Sequence, residues 1–160
     1  MYANRWKSTL LMGALLLSAM ASADVTEETR KAIQTVINKE RAAASKKDVK
    51  GMFAFHTPDY EAVLKDGSKM NLTQARSAFQ GMLPALSSIA MQTAIQKISV
   101  QGNQAMVTVK DRAELGMLDA QTGKPGKMVL HSVSEETWVK TAKGWMRKRT
   151  RELSSRQERK

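Results

Sequence analysis

Glu136-Thr137-Trp138-Val139-Lys140, followed by Thr141-Ala142-Lys143-Gly144 and then Trp145-Met146-Arg147, is a tryptophan strand that turns at a glycine into a second tryptophan strand. Side chains on a strand alternate between its two faces, and Lys-Gly supplies a tight turn, so the stretch reads as a β-hairpin. Two earlier turn signals, Gly102-Asn103 and Gly123 to Gly126, join this one to divide residues 89–155 into four extended runs.

The part of the chain before residue 89 has a different period. Ile33, Val36, Ile37, Glu40 and Ala44 fall on one helical stripe that ends near Lys46. Asp24, with Glu27 three residues on, has the spacing of a capping box at the start of that helix. Asp48 caps a short second helix through Phe55, which stops ahead of Thr57-Pro58 because proline disfavours helical geometry in the preceding residue. Tyr60 to Leu64 is a short strand, Asp66-Gly67 a turn, and Thr73 the cap of a third helix with Ala75, Ala78, Phe79, Met82 and Leu83 at helical spacing. Helices followed by an antiparallel meander predict an α+β domain, with the helices packed on one face of a strongly curved sheet.

In the second run Ala105, Val107, Val109, Ala113, Leu115 and Met117 share a face, and Asp111 interrupts it. An inward carboxylate is costly unless it is paired or lines a wet cavity, so Asp111 is a candidate pocket residue. His131, of like parity with Val129 and Val133, is expected to point inward as well and to serve with Asp111 and Tyr60 as the acid–base candidates. A turn near residues 121–125 sets position 111 against about 133–135, which favours Glu135 over His131 as its neighbour. His56, at a helix end before Pro58, reads as a capping or solvent-facing residue. In the last run Arg147, Arg149 and Arg151 alternate with Met146, Lys148, Thr150 and Glu152. That arginine row either faces the pocket, with Asp111 and Glu135 as ion-pair partners, or forms a solvated edge; the outward placement is favoured.

The order of elements over residues 26–153 resembles the nuclear-transport-factor-2-like superfamily, in its SnoaL-like and ketosteroid-isomerase-like branch. The long first helix, the Asp48 to Phe55 helix, the segment Pro58-Asp59-Tyr60 to Asp66-Gly67, the Thr73 helix and the Trp138 to Trp145 hairpin carry the likeness. It implies a cone-like fold with a pocket at the open end, in a group that includes isomerases, dehydratases, cyclases and non-catalytic binding or dimerising modules. The family's base carboxylate belongs toward the end of the first strand, where Ala62-Val63-Leu64 offers none. Asp59, Tyr60, Asp111, His131, Glu135, Trp138 and Arg149 are the expected ligand-binding candidates.

Arg5 and Lys7, the apolar run from Thr9 to Met20, and Ala21-Ser22-Ala23 before Asp24 have the layout of a secretory signal. Cleavage between Ala23 and Asp24 is expected, with a cone domain over 24–153, a polar basic tail at 154–160 that frays, and a periplasmic or secreted, bacterial setting. The run is about a dozen residues, short of the roughly 20 that span a bilayer. Residues 24–160 would carry 24 basic against 15 acidic residues, a charge of +9. Such a charge favours anionic envelope polymers as partners, whereas a single flanking Trp145 makes a thin stacking platform for nucleic acid.

With no cysteine, two separated histidines and no phosphate-loop, Gly-x-Ser-x-Gly or His-Glu-x-x-His motif, neither a metal nor a cofactor is expected. Asn71-Leu72-Thr73 fits a glycosylation acceptor, relevant only to a eukaryotic route. These readings converge on an exported domain that binds a small ligand or forms a homodimer through its sheet. The alternatives are a metal-independent lyase or isomerase working in the cone, and a polyanion-binding basic protein.

Overall fold

The computed structural model describes the backbone of residues 8–118 and 123–159, and side chains from residue 23 onward within them except that of Leu118. Helix α1 (Ser8–Ser45) is followed by α2 (Val49–Met52), strands β1 (His56–Val63) and β2 (Lys69–Asn71), and helix α3 (Leu72–Met82). After a single 3-10 turn come β3 (Leu86–Gln101), β4 (Gln104–Leu118), β5 (Pro125–Thr141) and β6 (Gly144–Arg159). The six strands form one mixed sheet in the order β2-β1-β6-β5-β4-β3, in which β1 runs parallel to β6 and every other neighbour is antiparallel.

Helix α1 lies across this sheet because its apolar stripe has nowhere else to go. Ile33 and Ile37 are buried on Ala105, Val107 and Val109 of β4, Trp138 of β5 and Trp145 of β6. A second cluster joins Ala44 to Leu86, Ile89 and Leu115. Two arginines fasten the helix to the backbone of β3, Arg41 Nε donating to Met91 O (2.8 Å) and Arg30 Nη1 to Ile95 O (3.3 Å). The helix closes on a left-handed Lys47 (φ 58°), with Asp48 N donating to Ala43 O and Lys47 N to Ala44 O, the paired bonds of a Schellman end.

Several local expectations change. α1 begins at Ser8 and passes through Asp24, so Asp24 does not cap it in the 160-residue chain; a run of Leu, Ala and Met contains nothing that would break the helix. Asp48 does cap α2, accepting from Gly51 N at 3.0 Å. Helix α3 is capped by Asn71 rather than Thr73, since Gln74 three residues on from Asn71 completes the reciprocal capping box. Residues 154–159 do not fray: β6 continues to Arg159 against β5, from Val133–Ser154 to Met128–Arg159. That pairing uses backbone groups and is indifferent to the polar sequence. Among the described residues no helix is long and apolar enough to cross a membrane.

Register settles which side chains enter the cone. Asp111 stands opposite Ser132, not 133–135, and Ala105 stands opposite Trp138. Because side chains alternate with a period of two, the odd positions of β4 share a face with the even positions of β5. Glu136 and Ser134 therefore join Asp111 inside, while Glu135 and His131 go outside.

Candidate functional site

The cone encloses a cavity of about 210 Å³ between α1 and the sheet. One helical turn past Ile37, the stripe of α1 presents Glu40, which is buried (6% exposed) against all expectation for a lone acid on an apolar face. Opposite it stands Arg147 of β6. A bulge pairs Trp138 with Arg147 but Thr137 with Arg149, leaving Lys148 without an opposing residue. The break in alternation sends Arg147 inward and Arg149 and Arg151 outward, splitting the arginine row.

Arg147 is the hub. Its Nη2 lies 2.8 Å from Glu40 Oε2, and its Nε lies 3.1 Å from Glu136 Oε1, close but poorly aligned for a hydrogen bond. Its guanidinium sits 4.7 Å from the centre of the Trp138 ring, and Trp138 Nε1 donates to Glu136 Oε2 at 2.8 Å. Burial and two adjacent carboxylates have opposite effects on Arg147; the carboxylates dominate and hold it firmly protonated. Burial pushes Glu40 up to about 7, with Arg147 opposing and Glu136 adding to the rise. Glu136 is raised in the same way.

His56, the first residue of β1, completes the cluster. Its ring packs edge-on against Tyr60 at 4.5 Å and lies 5.1 Å from Phe53. Burial first, then Arg147 and Arg76, push the imidazole down to about 2, so it is neutral. Its Nε2 is 3.3 Å from Arg147 Nη1, which can only donate, so the ring proton belongs on Nδ1. Nδ1 faces Glu40 Oε1 across 3.4 Å, and neither atom has a hydrogen-bond partner among the described residues. The pair is therefore a neutral imidazole beside a carboxyl that exchanges its proton near neutrality, not an ion pair.

On the far wall Asp111 accepts from Thr93 Oγ1 at 2.5 Å, its one hydrogen bond among the described residues. Burial raises its pKa, offset in part by that bond and by Arg147 and Arg41. Ile37, Met52, Phe53 and Met91 give the cavity an apolar wall, and Arg41, Ser134 and Thr150 complete its lining. The cavity thus holds three carboxyl groups against two guanidiniums, Arg147 and Arg41, beside an uncharged imidazole and a phenol. Among the described residues no cluster of His, Asp and Glu is placed to hold a metal ion.

Of the residues expected at the site, Tyr60 and Asp111 line the cavity, and Trp138 lies behind Arg147. The others are elsewhere. His131 stands opposite Arg112 on the outer face, because the register moves it away from Asp111. Glu135 pairs with Arg151 at 2.9 Å outside, and Arg149 pairs with Glu61 at 3.3 Å. Asp59 is exposed beside Lys148 at 3.4 Å. The residues that sequence reasoning did not place in the site are Glu40, His56, Glu136 and Arg147. A signal existed for Glu40, an acid within an apolar helical stripe.

No protein-family model matches the chain, and no curated protein matches it. Solved structures do. The Kfla4162 protein of Kribbella flavida superposes with a TM-score of 0.70 at 18% identity, covering 82% of this chain and 94% of that one. A hexachlorocyclohexane dehydrochlorinase, LinA type 2, gives 0.65 at 9% identity, covering 82% and 89%. A nuclear transport factor 2-like superfamily protein of Salmonella enterica serovar Typhimurium gives 0.61 at 15% identity, covering 80% and 92%.

Proposed function

We propose, from the nuclear-transport-factor-2-like cone fold that this chain has, that it binds a small ligand in the cavity beneath α1, and that the ligand is a compact amine. The observation that carries this reading is the imbalance of buried charge. Three carboxyl groups, Glu40, Glu136 and Asp111, line the cavity against two guanidiniums, Arg147 and Arg41, and among the described residues Asp111 has Thr93 alone as a hydrogen-bond donor. A group bringing N–H donors and positive charge would satisfy Asp111 and the open Glu40 Oε1, while its apolar part lies on Ile37, Met52 and Met91. The volume limits the ligand to a small molecule. The layout of residues 1–23 supports action outside the cytoplasm after cleavage at Ala23–Asp24. Calorimetric titration with butylamine and benzylamine tests the ligand class: binding is expected for the amines and not for the isosteric alcohols. Equal binding of amine and alcohol refutes it.

A second reading rests on a different observation, the Glu40 carboxyl poised near pH 7 beside His56. A base so tuned can abstract a proton from carbon in a metal-independent isomerisation or elimination. Deuterium uptake from D₂O into small ketones, catalysed by the wild type and abolished in Glu40→Gln, would favour it; no exchange, or exchange unchanged in the variant, excludes it.

A further inference from the structure

Outside the cone, between the start of β1, the first turns of α3 and the β5–β6 turn, lies a second hollow of about 570 Å³. It shares His56 with the inner cavity and otherwise has its own lining. Its floor is apolar, built from Ala54, Pro58, Leu72 and Met146. Arg76 and Lys143 line it, both exposed, and among the described residues no carboxylate does.

Arg76 differs from most arginines of the surface in having no carboxylate partner among the described residues. Arg30, Arg112, Arg149, Arg151 and Arg156 each have a carboxylate partner. Arg76 has only a backbone contact, Nη2 to Phe53 O at 3.5 Å, and Lys143 has no side-chain partner among the described residues. An apolar floor beneath two cations without counter-charges is complementary to a molecule with an apolar body and one anionic head. The inner cavity, with three carboxyl groups in its lining, is less suited to that head group.

We propose that the outer groove is a binding site for a small amphipathic carboxylate, its hydrocarbon part on Pro58, Leu72 and Met146 and its head group on Arg76 and Lys143. The site does not depend on the amine reading of the inner cavity. The wall at His56 separates an acidic compartment from a basic one, so the fold offers two binding sites of opposite charge preference.

Methionine methyls report on each compartment separately. In full-length protein labelled with methyl-¹³C methionine, hexanoate is expected to shift the Met146 resonance and leave Met52 and Met91 in place. Hexanamide, of the same shape without the charge, is expected to bind at least about tenfold more weakly, as is hexanoate to the Arg76→Glu, Lys143→Glu protein. Both substituted positions are exposed, so the melting temperature checks that the variant is folded. Binding is expected to weaken with added salt, since both cations are exposed. Asp111→Asn should leave hexanoate binding unchanged. Equal affinity for hexanamide, undiminished binding to the charge-reversed variant, shifts confined to Met52 and Met91, or no shift at millimolar hexanoate would each overturn the proposal.

Discussion

Replacing Arg147 by Met removes the guanidinium while leaving its hydrocarbon volume, and the structure allows the cost to be worked out. Arg147 is 13% exposed at its side chain, Glu40 8% and Glu136 7%, so solvent cannot take over the lost contacts. Glu136 would keep the Trp138 donor; Glu40 would keep none. Removing one member of a buried ion pair costs about 3–5 kcal/mol, because the surviving charge is left without compensation. Two survivors and a lost cation–π contact put Arg147→Met at about 4 kcal/mol at pH 8. At pH 5 Glu40, raised to about 7, is already protonated in the wild type, so less is lost. There the cost should fall to about 2 kcal/mol, the worth of a hydrogen bond to a charged group. Urea unfolding followed by tryptophan fluorescence measures both values. A loss below about 1 kcal/mol at pH 8, or one no smaller at pH 5, refutes the assignment of Arg147 as the neutralising centre. Adding Glu40→Leu and Glu136→Leu should restore most of the stability, since an apolar replacement removes the stranded charges as well.

Trp138→Phe keeps a ring in the core but takes the donor from Glu136 Oε2; chemical denaturation should show a loss of about 2 kcal/mol, more than ring size alone explains. Gly116→Ala would press a Cβ against the Ser88 and Ser87 hydroxyls and set it 3.2 Å from the Ser88 backbone N, and a melting curve should show a destabilisation of about 1–3 kcal/mol. Glu40 binds its proton more tightly folded than unfolded, so its contribution is full below pH 4.5 and lost as pH rises through about 7; Glu40→Gln should abolish that decline in the stability–pH curve. His56 acts with the opposite sign, its contribution being present above pH 6.5 and lost as pH falls toward about 2, so His56→Asn should flatten the acid limb of the same curve.

The fold was legible where one residue type dictates local geometry. Gly67, Gly102, Gly123 and Gly144 all have positive φ, and each lies in a turn read from the sequence. The stripe of Ile33, Ile37 and Ala44 and the alternating Ala105, Val107 and Val109 identified the two faces that meet in the core. The site was less legible because it depends on register, and register here depends on the length of a connection and on a bulge. Centring the β4–β5 connection too late along the chain placed Glu135 opposite Asp111, three residues beyond its partner. The real pairing with Ser132 reverses the parity and brings in Glu136. The bulge at Lys148 has no signature in Arg147-Lys148-Arg149, so the arginine that turns inward looks like its neighbours. His56 was placed at a solvated helix end by the proline that follows it. In the structure β1 starts at that residue and carries its ring beneath α1.

The claim on which the account turns is that the cavity between Glu40, Arg147 and Asp111 holds a ligand, and the side chains of Met52 and Met91 look directly onto it. Titrating methyl-¹³C methionine protein with butylamine therefore gives the most direct test. The account predicts saturable shifts of Met52 and Met91, with Met106 on the outer face unmoved, and their loss in Asp111→Asn. Shifts at Met106 alone, or identical titrations of wild type and Asp111→Asn, would contradict it.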